Sequence, residues 1–107
     1  LFFTDNGRDW LGDDSPSCEL NRVDFEGQFF GFPFKHASAL MDPEFGNMNS
    51  GYDFIDPILE LGAHVAPTGV SFYNGTMFPK QMQNNLFVAL HGSWNRSTKV
   101  GYKLIRV

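Results

Sequence analysis

The chain has 107 residues, a formal net charge of −4 and 42% hydrophobic residues, enough for a packed core in a small domain or in part of a larger one. Its apolar runs are too short to span a membrane, and the five basic residues after position 60 are not clustered as in nucleic-acid-binding tails. All twelve acidic residues lie in residues 1–60, so the sequence indicates an acidic half that can bind a cation and a basic half that can face an anion.

Short β-type segments separated by Gly, Pro, Asn and Asp are predicted along the chain. In chain order, the predicted strands are Leu1–Thr4, Leu20–Phe25, Ile58–Leu61, Gly69–Tyr73, Leu86–Leu90 and Gly101–Val107. The last four are predicted to form an antiparallel meander, because turns rich in Asn and Gly join them. Helical periodicity is not sustained for three turns anywhere, so an all-β fold is expected and a helical bundle is excluded.

The segments between the second and third predicted strands are expected to be irregular. Residues 27–34 contain four Phe together with two Gly and one Pro, which indicates a turn packed onto the core rather than a helix. Residues 35–57 are predicted to form a surface excursion, with one short helical turn near Ala37–Met41 and with His36 on the surface. One or two small sheets cannot bury both faces, so we expect the chain to be a fragment of a propeller-like fold.

The acidic segment, residues 4–21, carries five carboxylates and two glycines between two predicted strands. The carboxylates belong to Asp5, Asp9, Asp13, Asp14 and Glu19. A loop with this many oxygen donors and a kink at Gly can bind calcium, although its spacing does not match an EF-hand. Composition alone favours the other interpretation, a solvated loop with an Asx turn.

A second group of polar and aromatic residues follows the predicted strand that ends at Leu90. In His91–Ser97, Arg96 can pair with a carboxylate and Trp94 can stack on a flat ring. A hydrolase is disfavoured because the sequence has no Gly-x-Ser-x-Gly elbow. The alternative is a capped β-turn with a buried Trp. His64, at the end of another apolar run, is predicted to be packed and hydrogen-bonded.

The remaining chemistry-bearing residues exclude several site types. Cys18 is the single cysteine, so it is either a free thiol or has a partner outside these residues. No His and Cys spacing predicts a zinc site. The sequence also lacks a phosphate-binding glycine loop and a dinucleotide fingerprint.

Together these segments resemble the glucose/sorbosone dehydrogenase family, in particular its sorbosone-dehydrogenase-type branch of soluble quinoproteins. The resembling motifs occur in family order over nearly the whole chain, at Thr4–Arg8, Asp14, Glu19–Asn21, Gly27–Pro33, Leu61–Pro67, Phe72–Tyr73, Gly75, His91–Arg96 and Gly101–Lys103. The resemblance implies a fragment of about one and a half to two blades of a six-bladed β-propeller. Residues 1–57 are then the metal-loop blade with its excursion, and residues 58–107 are the following blade.

The resemblance also implies an activity, the oxidation of a sugar or aldose hydroxyl by pyrroloquinoline quinone bound over a calcium ion. The expected partners are a small-molecule sugar and an external electron acceptor, with no nucleic acid and no membrane span. The expected location is secreted or periplasmic. The family's general-base His is expected outside these residues, so neither His64 nor His36 is given that role.

By the same resemblance, five residues are implied as calcium ligands. They are the carbonyls of Gly7 and Arg8, the Glu19 side chain, the carbonyl at Phe30 and the side chain of Asp42. Many members of the family have Pro at the position of Arg8 and Tyr at the position of Phe30. A backbone carbonyl ligand tolerates both changes, because the side chain does not bind the ion.

The loop from His91 to Lys99 corresponds by resemblance to the family's basic segment that holds the carboxylates of the cofactor. Arg96 is the expected contact, with His91, Trp94 and Lys99 behind it. Two other protein classes stay open. One is a non-catalytic secreted propeller that binds carbohydrate or protein, and the other is a calcium-dependent lactonase propeller whose metal lies in the central channel.

Overall fold

The computed structural model describes residues 1–48 and 51–107, so two residues of the predicted excursion, Asn49 and Ser50, lie outside the described part. Within these ranges the chain forms eight strands and two short 3-10 helices, which confirms the all-β fold. The strands are β1 (Phe2–Asp5), β2 (Ser17–Arg22), β3 (Lys35–His36), β4 (Leu40–Met41), β5 (Leu59–Ala63), β6 (Pro67–Phe72), β7 (Leu86–Leu90) and β8 (Lys103–Arg106), and the 3-10 helices are Gly46–Met48 and Lys80–Met82. No helix in the described ranges is long and apolar enough to cross a membrane.

The first sheet contains β1, β2 and β5, with β2 in the centre and both pairs antiparallel. The sequence predicts instead that β5 joins the later strands in a meander, and that prediction is wrong for β5. Left-handed backbone conformations explain the difference. Gly62 (φ 93°) near the end of β5, and His64 (φ 60°) and Ala66 (φ 46°) after it, turn the chain sharply before β6 enters another sheet.

The second three-stranded sheet contains β6, β7 and β8 in chain order, all antiparallel, which confirms the predicted meander for these strands. In the central strand β7, the buried residues Leu86, Val88 and Leu90 alternate with partly buried ones, as expected for a strand with one face on the core. Burial of each such aliphatic side chain stabilises the fold by about 1.5–3 kcal/mol. The same core includes Cys18, Leu20 and Val65.

The two three-stranded sheets touch along β1 and β6. The Thr4 hydroxyl donates a hydrogen bond to the Pro67 carbonyl at 2.7 Å, and the ring of Phe2 meets that of Phe72 edge-on at 5.3 Å between centroids. Thr4 lies near the end of β1, and Pro67 is paired with Leu90 at the end of β7. The loops that follow β1 and β7 therefore start side by side.

The excursion contains a small hairpin of β3 and β4 in place of the predicted helical turn. Ala37 has a φ of 50°, which suits a tight turn and not a helix. The expectation of a surface His36 is also wrong, because its side chain is buried and lies 2.7 Å from the Asp42 carboxylate. This contact closes the base of the hairpin.

Candidate cofactor and metal site

Two loops from opposite ends of the chain meet in one cleft of about 480 Å³. The acidic loop (residues 6–16) joins β1 to β2, and the basic loop (residues 91–102) joins β7 to β8. Among the residues that line the cleft are Asn6, Gly7 and Asp9 from the acidic loop, His91, Trp94 and Lys99 from the basic loop, and His64 from the turn after β5. The cleft therefore brings together parts of the predicted metal segment and of the predicted cofactor segment.

Direct contacts hold the two loops together. The Arg96 guanidinium donates to the Asp13 carbonyl and lies 2.9 Å from the Asp14 carboxylate. The backbone N–H of Ser97 donates to the Asp13 carboxylate at 3.1 Å. Hydrogen bonds from Ser97 hold the pKa of Asp13 below its ordinary value, and the nearby charge of Arg96 acts in the same direction.

Of the four residues predicted to hold a cofactor, His91, Trp94 and Lys99 line the cleft, whereas Arg96 lies beside it and contacts the acidic loop. Lys99 donates to the carbonyls of Trp94 (3.2 Å) and Arg96 (3.0 Å). No carboxylate pairs with Lys99 among residues 1–48 and 51–107. Its charge is therefore available to an anion in the cleft.

Gly7 is the predicted metal ligand that borders the cleft directly. Its N–H donates to the Cys18 thiol sulfur at 3.4 Å, and a Cβ at this position would lie 2.8 Å from the Pro16 carbonyl oxygen. Only glycine therefore fits so close to the neighbouring backbone. Cys18 is buried as a free thiol, so it fixes the loop through this contact.

Glu19 is buried on β2, where a charged carboxylate is costly. One carboxylate oxygen accepts from the Ala37 N–H at 2.6 Å, and the other accepts from the Asn21 amide at 2.9 Å. Burial raises the pKa of the Glu19 carboxyl, and the charge of Asp5 on the adjacent strand adds to that rise. The hydrogen bonds from Asn21 and Ala37 and the nearby His36 act to lower this pKa, but they do not offset the effect of burial.

Asn21 strengthens that conclusion, because its Oδ1 atom is buried and has no hydrogen-bond partner in the described part of the chain. A buried amide oxygen without a partner is unusual in proteins. Beside a buried carboxylate, it suits a hard cation, which prefers oxygen ligands. This local chemistry fits calcium next to Glu19.

The described side chains alone do not complete a metal site. Within residues 1–48 and 51–107, no group of three His, Cys, Asp or Glu side chains has the geometry to hold a metal ion. Calcium at Glu19 would therefore depend on backbone carbonyls, which are common calcium ligands. Phe30, one of the predicted carbonyl donors, is held by an edge-on contact of its ring with Phe3 at 5.0 Å.

Asp42, the other carboxylate among the predicted ligands, already has four donors. One oxygen lies 2.6 Å from Arg8 Nη1 and 2.7 Å from His36 Nε2, and the other accepts from the N–H groups of Glu44 and Phe45, both at 2.8 Å. Burial acts to raise the pKa of Asp42, but the hydrogen bonds from His36, Arg8 and the two backbone groups hold it well below its usual range. Calcium binding by Asp42 stays a prediction, and it requires one of these donors to move.

The structure also places residues that the sequence left without a role. His64 is buried, with its Nε2 atom 2.7 Å from the Gly12 carbonyl and its Nδ1 atom 3.7 Å from the Asp9 carboxylate, which confirms it as packed and hydrogen-bonded. The alternative of a buried Trp in the basic loop is wrong, because Trp94 is 66% exposed. It meets Trp10, and the only signal for this in the sequence is that each Trp lies in a loop rich in polar residues.

Comparison with known proteins gives partial matches. The chain is 47% identical over 105 residues to an uncharacterized protein of Borreliella burgdorferi, covering 97% of this chain and 28% of that protein. It is 43% identical over 53 residues to a pyrroloquinoline quinone-dependent pyranose dehydrogenase of Coprinopsis cinerea, covering 50% of this chain and 6% of that enzyme. The chain thus spans less than a third of the first relative and a small part of the second, and no solved structure matches it significantly.

A family match is more extensive than the match to the fungal enzyme. Residues 28–107 match the TrAA12-like family model. They include the excursion, both strands that flank the basic loop and the basic loop itself. The chain therefore belongs to the TrAA12-like family.

Proposed function

We propose that this chain is part of a six-bladed β-propeller in a quinoprotein sugar dehydrogenase of the glucose/sorbosone type, with its two three-stranded sheets in consecutive blades. The full-length protein oxidises a sugar hydroxyl using pyrroloquinoline quinone over a calcium ion, and an external acceptor takes up the electrons. We also propose that it acts outside the cytoplasm, as a secreted or periplasmic protein. Its general base lies outside these residues.

One observation carries this proposal, namely the cleft where the acidic and basic loops meet. Gly7 borders the cleft on its acidic side. The buried Glu19, whose pKa is raised, follows the cleft residue Cys18 on β2 but does not line the cleft itself. On its basic side, Lys99 has no carboxylate partner in the described part of the chain. A calcium ion with an anionic cofactor complements both sides at once. The partial match to a pyrroloquinoline quinone-dependent enzyme supports the same cofactor.

The residues of the chain divide into two proposed roles. Bound quinone would supply the two-electron acceptor, and bound calcium would supply a Lewis acid beside it. The calcium ligands are proposed to be Gly7, Arg8, Glu19, Phe30 and Asp42, and the cofactor contacts are proposed to be His91, Trp94, Arg96 and Lys99. Lys99 supplies charge to carboxylates of the cofactor, Trp94 offers a ring face, and Arg96 holds the acidic loop against the basic loop.

The test is reconstitution of the full-length protein with calcium and pyrroloquinoline quinone. We expect a stoichiometric quinone complex and reduction of a redox dye when aldoses are added. Lys99→Ala is expected to weaken quinone binding, whereas Lys103→Ala, an exposed lysine on β8, serves as the matched control and leaves it unchanged. Absence of a quinone complex in the wild type contradicts the proposal. Hydrolysis of lactones without quinone would favour the lactonase class instead.

A further inference from the structure

Two tryptophans are exposed together at the rim of the cleft. Trp10 is 76% exposed and Trp94 is 66% exposed, yet their rings touch edge-to-face at 5.4 Å between centroids with an interplanar angle of 77°. Indole rings normally bury most of their surface in a folded domain. A pair of exposed aromatic rings from two different loops is typical of a binding surface.

The backbone at Trp10 adds an independent argument. Its φ of 69° is left-handed, which is uncommon for a bulky residue and costs conformational energy. The Asn95 side chain holds this conformation from the other loop, because its Oδ1 atom accepts from the Trp10 N–H at 3.1 Å. The fold thus uses strain and a long-range hydrogen bond to keep Trp10 at an exposed position.

The surroundings of the pair are polar. A second cavity of about 470 Å³ lies beside the cleft, and Trp10, Trp94 and Asn95 line it together with Asp13 and Arg96. Asn95 Oδ1 is used by Trp10, and no hydrogen bond to its Nδ2 donors is found among residues 1–48 and 51–107. The site therefore combines aromatic faces with planar polar groups around them.

This combination matches the chemistry of a sugar ring. A pyranose has an apolar face of C–H groups, which packs on an aromatic ring, and a rim of hydroxyls that both donate and accept hydrogen bonds. Amide and carboxylate groups satisfy such hydroxyls. A phosphate-bearing ligand suits the site less well, because the cavity is bordered by Asp13 and the chain has a net charge of −4.

We propose that Trp10 and Trp94, with Asn95, form a sugar-binding subsite at the rim of the cleft. The adjoining cavity gives room for a ring next to the one that enters the cleft, so the preferred ligands are saccharides of two or more rings. The link to oxidation rests on the proposed function. Sugar binding at this subsite requires neither the quinone nor calcium.

The experiment measures saccharide binding to the full-length protein by calorimetry in the absence of quinone and calcium. The probes are glucose, cellobiose and maltose. We expect the disaccharides to bind more tightly than glucose and Trp10→Ala to weaken disaccharide binding by about tenfold, the loss expected for one aromatic stacking contact. Trp10→Phe retains an aromatic ring and is expected to keep most of the affinity. Phe25→Ala, at a residue that is 66% exposed away from the cleft, is the matched control.

The variants are chosen to keep the loop intact. Asn95 bonds the backbone N–H of Trp10, so any side chain at that position preserves this link, and circular dichroism checks the fold. The proposed subsite is contradicted if wild type and Trp10→Ala bind disaccharides equally well. It is also contradicted if the wild type binds no saccharide. Failure to bind quinone in a separate titration contradicts the proposed dehydrogenase and leaves the subsite standing. The two failures are therefore distinguishable.

Discussion

Two buried carboxylates in this chain, Glu19 and Asp42, lie in similar positions with opposite electrostatics. In the described part of the chain, Glu19 on β2 accepts hydrogen bonds from the neutral Asn21 amide and Ala37 N–H. Burial raises its pKa more than these bonds and the nearby His36 lower it. Asp42 beside the excursion hairpin has Arg8, His36 and two backbone N–H groups, and its pKa is lowered. Both carboxylates are buried, so their partners determine the direction in which each pKa shifts. These partners leave Glu19, rather than Asp42, as the carboxylate that a bound cation would stabilise more.

The largest effect is expected from removing the satisfied carboxylate. Asp42→Ala leaves the buried His36 and two backbone N–H groups without their acceptor and leaves Arg8 with only the more exposed Glu44, and loss of the acceptor of buried donors is destabilising. We expect a clear fall in the denaturation midpoint of the protein in urea. Glu44→Gln is the control, because Glu44 is a more exposed partner of Arg8 and exposed pairs contribute little. Equal destabilisation by both variants would show that the contacts of Asp42 with Arg8 and His36 do not stabilise the fold more than the exposed pair does.

Glu19→Gln is expected to behave in the opposite way. It removes a buried charge, and its new amide N–H can donate to the unpaired Asn21 Oδ1 atom once that side chain rotates. Without calcium, the melting temperature is expected to stay equal or rise. With calcium, the wild type gains stability by mass action, about 2.7 kcal/mol at a hundredfold excess over the dissociation constant, and the variant gains none. A calcium-dependent shift that survives Glu19→Gln would falsify Glu19 as a ligand.

The same contrast applies to the cations, since Arg8 is paired with carboxylates whereas the hydrogen bonds of Lys99 within residues 1–48 and 51–107 go to carbonyls. Lys99→Gln keeps the hydrogen-bonding capacity of the side chain while removing its charge. We expect quinone affinity to fall about fivefold to tenfold, as for loss of one charge-assisted contact, with the melting temperature nearly unchanged. Fluorescence titration measures the affinity. An unchanged affinity at low ionic strength would mean that Lys99 does not face the anion.

The smallest effect concerns the exposed Asp13, which links the two loops. Its folded pKa is below that of an ordinary aspartate because Ser97 donates to it. The carboxylate therefore stabilises the fold at every pH above the ordinary value and loses that contribution as the pH falls through the lower folded value. We expect Asp13→Asn to melt slightly below the wild type at neutral pH, with the difference vanishing in strong acid. A difference independent of pH would assign the effect to something other than charge.

Secondary structure was predicted well where the local pattern is strong. β7 was predicted with its observed bounds, and the later meander was confirmed, because the alternation of apolar residues along a strand is a local signal. The hairpin at residues 35–41 was missed. It depends on the contact of His36 with Asp42, and local propensity does not contain that contact.

The candidate site was predictable only in part. The family resemblance predicts a metal segment and a cofactor segment, which stay predictions, and the cleft brings Gly7 of the first together with His91, Trp94 and Lys99 of the second. The position of Arg96 beside the cleft and the orphaned oxygen of Asn21 were not foreseen. Both depend on which groups meet across strands that are distant in sequence.

By itself, the sequence determined the all-β fold and the division of charge, because both follow from the identity and spacing of neighbouring residues. Only the tertiary structure decided which acids are paired. Asp42 meets Arg8 and His36 through the packing of the excursion on the acidic loop, whereas Glu19 on β2 meets the amide of Asn21 and the N–H of Ala37. The sequence specifies which side chains can carry a charge, but the solvation and the partners of each side chain are determined only when the chain folds.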